Sequence, residues 1–235
     1  MSREYRHLDD APVGLLDAGA RAEEEAIGAA SFVLALRASG IRDTAVLRAM
    51  ELVPRDIFAP RRFADLARKD VALPLPCGQT MTAPKIVATM LVALGSEPEH
   101  RILEIGTGSG YVTALLTRLG RQVVSVERFG ALAESAAGHL AATGLSKGVK
   151  IEMGDGLAPR PRERFDRILL NGSTNRVPPT VTALLAPGGR LVGAMTIDGL
   201  PRLLRIERLA SGELVEEQGG ALRISPLLAG TAQAL

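Results

Sequence analysis

Glu104-Ile105-Gly106-Thr107-Gly108-Ser109-Gly110-Tyr111 sets an acid two residues before three glycines spaced GxGxG. Without Cβ atoms, such a loop lets a small ligand lie against bare backbone. The dinucleotide fingerprint GxGxxG needs glycine at 111, where Tyr111 stands, so a nicotinamide dehydrogenase is disfavoured. A pyrophosphate gains nothing from the Glu104 carboxylate, whereas a cationic ligand does. S-adenosylmethionine carries a sulfonium and an ammonium and no phosphate, and is the ligand expected here. The bland alternative is a tight strand-to-helix turn that holds nothing.

Glu127 closes the next strand, where a carboxylate can accept hydrogen bonds from both ribose hydroxyls. Taken alone, an acid at a strand end is usually a solvated charge. Gly154-Asp155-Gly156 follows the third strand and leaves Asp155 free to accept from an adenine amino group; a plain Gly-Asp-Gly turn is the alternative. Gln79, Thr80 and Thr82 offer donors and acceptors in an irregular stretch just before a helix. Thr82 has two readings, a substrate contact or an N-cap for that helix. Cys77 has no histidine near it in sequence and reads as a small buried or lining residue rather than a nucleophile.

The elements that must position these residues follow from periodicity and punctuation. Residues 1–20 read as a loose arm or ordered extension, and 21–39 as an amphipathic helix ending at Gly40. A second helix begins near Asp43, a fair N-cap, and stops before Pro54. Residues 54–83 hold Pro54, Pro60, Pro74 and Pro76 and no long period; long irregular segments inside compact domains are often functional. A regular alternation then starts. Pro84 opens a helix that Gly95 ends, followed by strands at 101–105, 122–127, 149–153, 165–171 and 190–195. Helices fall at 112–119, 130–143 and 179–185, and residues 202–226 read as two strands joined at Ser211-Gly212. This alternation means a mostly parallel α/β sheet wrapped on both faces.

Composition narrows the function classes. The 28 basic and 26 acidic residues leave a net charge of +2, with the arginines scattered rather than clustered. With 3% aromatic residues and no Trp, a nucleic-acid platform is not expected. One cysteine and three distant histidines (His7, His100, His139) offer no metal cluster. The apolar run 26–36 follows Glu23, Glu24 and Glu25, the wrong flank for a signal peptide, and is too short to span a bilayer. A cytoplasmic chain without membrane partners is expected.

Together these residues resemble the protein-L-isoaspartate O-methyltransferase family over roughly residues 30–230. The likeness runs through Val53-Pro54-Arg55-Asp56-Ile57-Phe58, Ala72-Leu73-Pro74 and Gly78-Gln79-Thr80-Met81-Thr82-Ala83-Pro84. It continues through the 104–111 loop, Ser125-Val126-Glu127-Arg128, Gly154-Asp155-Gly156, Phe165-Asp166, Pro187-Gly188-Gly189-Arg190-Leu191 and Ser225-Pro226-Leu227. GxGxG is shared by many methyltransferases; the 78–84 segment is far more specific.

The resemblance implies a doubly wound, mostly parallel seven-stranded sheet of the Rossmann-like class I methyltransferase kind, with its C-terminal strands in an altered order and a helical addition at the N-terminus. It divides the chain into an extension (1–25), a helical and substrate-loop region (26–83) and a methyltransferase core (84–235). It implies S-adenosylmethionine as methyl donor, held by Glu104, Gly106, Thr107, Gly108, Ser109, Gly110, Glu127, Arg128, Asp155 and Gly156. The acceptor implied is an isoaspartyl protein or peptide, met by Gln79, Thr80, Thr82, Asn171 and Ser173, with the Thr82 hydroxyl in the catalytic position and no metal. A monomer or small homo-oligomer is expected.

This chain departs from the pattern at three places. Thr82 stands where the family usually has Ser. Asn171-Gly172-Ser173-Thr174-Asn175-Arg176 replaces a small apolar run expected beside the acceptor, and Leu75-Pro76-Cys77 stiffens the lip before Gly78. The 171–176 change keeps a second acceptor class open, an ordinary Asp in a dedicated peptide or a small acid. A third reading is a non-catalytic module that binds the nucleoside.

A carboxylate is already ionised at neutral pH, with an ordinary pKa near ~4, and can attack a sulfonium methyl without a general base. Catalysis would then rest on alignment and exclusion of water.

Overall fold

The structure, a computed structural model, describes residues 13–158, 160 and 163–232. Residues 1–12 of the expected extension (1–25) lie outside them. The first helix, α1, runs Val13–Ala38, so it begins before residue 21 and takes in part of the stretch read as an arm. In its C-terminal half Phe32 and Leu36 are buried while Ile27 and Leu34 face solvent. Asp43 caps α2 (Thr44–Leu52) by accepting the Val46 N–H at 2.9 Å.

The irregular stretch has compact structure of its own. A single turn, α3 (Arg55–Phe58), precedes a 3-10 turn over Arg61–Leu66. A two-residue ladder then pairs β1 (Leu73–Pro74) with β2 (Thr80–Met81), closed by a 3-10 turn at Pro76–Gly78. Cys77 takes a left-handed φ of 59° at its tip, a conformation unfavourable for a residue with a Cβ.

Pro84 opens α4 (Pro84–Leu94), and Gly95 closes it in the left-handed conformation. Ala83, not Thr82, occupies the N-cap, and no side chain caps this helix from within. The Lys85 N–H is instead taken by the Asp70 carboxylate at 2.9 Å, so the capping role considered for Thr82 falls to a residue twelve positions upstream.

β3 (Arg101–Ile105), β4 (Gln122–Glu127), β5 (Val149–Met153), β6 (Phe165–Thr174) and β7 (Leu185–Ile197) are parallel; β8 (Leu200–Arg208) and β9 (Leu214–Ala221) add antiparallel. The order is β5-β4-β3-β6-β7-β8-β9, with the last three strands in chain order. Helices α5 (Tyr111–Leu119), α6 (Gly130–Ala142) and the single turn α7 (Pro179–Thr182) complete the crossovers. Alternate strand residues feed two cores. Ile102, Val123, Leu169 and Val192 pack toward α2, α4 and α5, while Leu103, Val124, Ile168 and Leu191 pack on the opposite face.

Three boundaries differ from expectation. β6 continues to Thr174 because Ser173 exchanges backbone hydrogen bonds with Ser225 and Leu227, so most of the supposed 171–176 loop is strand. β7 starts at Leu185, and its Pro-Gly-Gly lies inside the strand at a register shift. Asp198 and Gly199, both with positive φ, turn β7 directly into β8, a tight hairpin that the 190–195 strand left unseen.

Candidate active site

The strand order reverses direction between β3 and β6, and the open crevice lies at the C-terminal strand ends there, where α/β sheets hold ligands. Gly106, Gly108, Glu127, Arg128, Asp155 and Gly156 line it from the strand ends, Gln79, Thr80 and Thr82 from the β1–β2 lip, and Asn171 from β6. Ser225, Pro226, Leu227 and Leu228 roof it. The sequence reading matched Ser225-Pro226-Leu227 but gave them no role; a terminal segment docked by tertiary contacts carries no local signal.

The glycine loop is shaped by positive φ at Gly106 (97°) and Gly108 (56°), where side chains would be strained. A Cβ on Gly106 would approach Leu227 to 3.0 Å. Glu127 braces this loop. Its Oε2 accepts the Gly108 N–H at 2.8 Å and its Oε1 accepts the Phe129 N–H at 3.0 Å. A carboxylate offers about four lone-pair sites, so both oxygens keep capacity toward the crevice. Asp155 is used similarly. Oδ1 accepts Leu157 N–H at 2.9 Å and Oδ2 accepts Gly230 N–H at 2.8 Å, tying the C-terminal segment over the crevice. Ala232 N–H adds a bond to the Arg128 carbonyl at 3.1 Å.

Five expected site residues sit elsewhere. Glu104 is 0% exposed beneath the loop. It accepts from Thr113 Oγ1 at 2.5 Å and Ser125 Oγ at 2.7 Å, with Asn171 Nδ2 at 3.4 Å. Burial pushes its pKa up to about 7 against these hydrogen bonds. A carboxylate so enclosed braces β3, β4 and α5. Thr107 is buried on Ser125 at 2.6 Å. Ser109 lines a separate cavity behind the loop with Phe58, Leu75 and His139. Gly110 starts α5, where a Cβ would press on Ala136 at 3.0 Å. Ser173 is buried in its backbone pairing with 225–227. Cys77 is half-buried at the tip of the lip and does not line the crevice.

The crevice carries unmet polar capacity. Asn171 Nδ2 donates to the Gly106 carbonyl at 3.0 Å, which leaves Oδ1 buried without a partner, and Arg128 Nε is likewise buried and unpartnered. Bare glycine backbone, two acids with spare lone pairs and these two atoms fit a polar nucleoside with an amino-acid end. Among the described residues, no group of three His, Cys, Asp or Glu could hold a metal ion.

Comparison with known proteins agrees with this geometry. A family model described as protein-L-isoaspartate(D-aspartate) O-methyltransferase matches residues 29–231. A protein-L-isoaspartate O-methyltransferase of Azorhizobium caulinodans is 42% identical over 217 residues, covering 91% of this chain and 98% of the relative. A second protein of that name, from Rhodopseudomonas palustris, is 43% identical over 87% of this chain and 94% of its own length. The fold is shared with a solved protein-L-isoaspartate O-methyltransferase (TM-score 0.74, 23% identity), of which this chain covers 66% while 86% of this chain is covered. It is shared too with a Plasmodium falciparum protein solved with S-adenosyl-L-homocysteine (TM-score 0.74, 20% identity, 84% of this chain and 97% of that one).

Proposed function

Because the chain belongs to the protein-L-isoaspartate(D-aspartate) O-methyltransferase family, we propose that it methylates the free carboxylate of L-isoaspartyl residues in damaged proteins or peptides, with S-adenosylmethionine as donor. The observation that carries this reading is the meeting of two residue sets in one crevice. Gln79, Thr80 and Thr82 line it from the lip, and Gly108, Glu127 and Asp155 from the strand ends.

Glu127 would take the ribose hydroxyls, Asp155 and Gly156 the adenine edge, and the Gly106–Gly108 backbone with Arg128 the amino-acid end, while Asn171 faces the acceptor. When bound, S-adenosylmethionine supplies a methyl group made electrophilic by positive sulfur. Thr82 donates to one oxygen of the acceptor carboxylate and aims the other along the line of transfer. The acceptor is already an anion and needs no base. Thr82 must hold it lightly, because the acceptor loses its charge in the transition state. Glu104, Thr107, Ser109, Gly110 and Ser173 support the site from behind. Residues 26–83 present the acceptor and 84–235 hold the donor, although the two parts share one core.

An acceptor other than isoaspartate is the second reading. It is favoured by Asn171, whose unpartnered Oδ1 can accept from an N–H that a small apolar residue would ignore. We take the chain to work in the cytoplasm as a monomer or small homo-oligomer, on protein rather than nucleic acid. A net charge of only +2 favours a protein over a nucleic-acid partner; among the described residues no helix is long and apolar enough to cross a membrane. The test is transfer of a labelled methyl to an isoaspartyl peptide, with release of the label as methanol in mild base, the signature of a carboxyl ester. Label that survives the base treatment would place the methyl elsewhere.

A further inference from the structure

The Val53–Phe58 segment is left over from the site just described, yet it holds the largest buried polar side chain of the structure. Arg55 is 2% exposed. Its Nη1 donates to the Ala67 carbonyl at 2.7 Å, and its Nη2 donates to the carbonyls of Val71 and Thr82, each at 3.1 Å. The guanidinium also stands 5.8 Å from the ring centre of Tyr111, a 1% exposed residue that follows Gly110 and begins α5. Among the described residues no carboxylate forms a salt bridge with Arg55.

A buried cation without a paired anion is costly, and a well-packed apolar side chain would join the same elements without that cost. Burial lowers the Arg55 pKa to about 10, so the charge persists at neutral pH. What the guanidinium provides and an apolar group cannot is a rigid planar fork with several donors. Here the fork reaches the 67–71 loop, the acceptor lip at Thr82 and the helix that follows the glycine loop. The same 67–71 loop also holds the first turn of α4, the helix that follows the lip, through Asp70 and the Lys85 N–H at 2.9 Å.

We propose that Arg55 is the positioning residue of the acceptor side: by holding the Thr82 carbonyl from inside the core while packed on Tyr111, it sets where the Thr82 hydroxyl stands relative to the glycine loop. Arg55 touches neither donor nor acceptor and acts through Thr82. The inference rests on Thr82 facing the acceptor, as read above.

The test uses the full chain with Arg55→Met and Arg55→Lys, an isoaspartyl peptide, and S-adenosylhomocysteine as calorimetric probe of the donor site. Arg55→Met should lose at least tenfold in kcat and raise the peptide KM, with the probe Kd within twofold of the parent. Arg55→Lys should recover part of kcat, because a point charge reaches some carbonyls but not all three. A folded Arg55→Met with kcat within twofold of the parent overturns the proposal. So does a loss of kcat that Lys does not rescue and that runs parallel with probe affinity and Tm. Should neither variant fold, Asp70→Ala removes the acceptor of the Lys85 N–H and the acid whose charge acts on Arg55; a severalfold fall in kcat at unchanged probe Kd supports the proposal, and unchanged kcat counts against it. Failure of the functional reading is separate: the unaltered protein would then not methylate the peptide at all.

Discussion

Glu127 accepts the Gly108 backbone N–H at 2.8 Å, which makes the end of β4 and the glycine loop one unit. The acid proposed to take the ribose hydroxyls is therefore also a structural brace, and the two duties can be separated by substitution. Glu127→Ala leaves the Gly108 and Phe129 N–H groups without their acceptor, at a cost of about 1–3 kcal/mol each if water does not replace it. Glu127→Gln keeps one acceptor oxygen. The Gln variant should stay within about 1 kcal/mol of the parent in urea unfolding, yet bind S-adenosylhomocysteine at least tenfold more weakly. Equal affinity in calorimetry would leave Glu127 as a brace alone.

Asp155→Ala removes the partner of Gly230 N–H and so unties the C-terminal segment from the crevice. Donor affinity should fall at least tenfold and dissociation should quicken, as followed by stopped-flow release of the donor product. A loss of stability of about 1–2 kcal/mol should accompany it, since two backbone N–H groups lose an acceptor. Unchanged affinity and release rate would remove Asp155 from the donor site.

Thr82→Val should lower kcat by at least tenfold and leave donor Kd unchanged, while Thr82→Ser keeps most activity. Because Ala83 is the N-cap and Thr82 caps nothing, the Val variant should melt within about 2 °C of the parent, the scale set by a ΔΔG well under 1 kcal/mol. A fall of many degrees with kcat preserved would return Thr82 to a purely structural role.

Glu104 gives a pH signature. Its folded pKa of about 7 lies above the ordinary 4.5, so the folded state holds the proton after the unfolded chain has released it. Stability contributed by the protonated carboxyl is complete below the ordinary value, declines as pH rises toward the folded value, and is gone above it. The gap corresponds to about 3 kcal/mol. Glu104→Gln should therefore gain stability on the parent between pH 5 and pH 8, whatever constant offset the substitution brings. Urea midpoints of the donor-free proteins at both pH values measure it; parallel pH profiles would mean that Glu104 is ionised throughout.

What could be read in the sequence was what local chemistry specifies. Asp43 before α2 and Pro84 and Gly95 around α4 are short-range signals, and all three act in the folded chain. The glycine loop, Glu127 and Asp155 were legible because strand-end spacing brings them to one edge. The enclosure of Glu104 is not legible locally, because it depends on Thr113, Ser125 and Asn171, which come from three different elements. Asp198-Gly199 is a local hairpin signal, both residues with positive φ, that the sequence reading passed over. The roof at 225–228 and the reach of Arg55 to Thr82 depend on long-range contacts that no periodicity records.

The central claim is a crevice that presents an isoaspartyl carboxylate to a sulfonium methyl. Two peptides identical except for an isoaspartyl or an ordinary aspartyl residue, each offered with labelled S-adenosylmethionine, test it most directly. Base-labile label is expected on the isoaspartyl peptide, at a kcat/KM at least a hundredfold above that for its twin. Equal labelling of both, or of neither while the donor still binds, would contradict it.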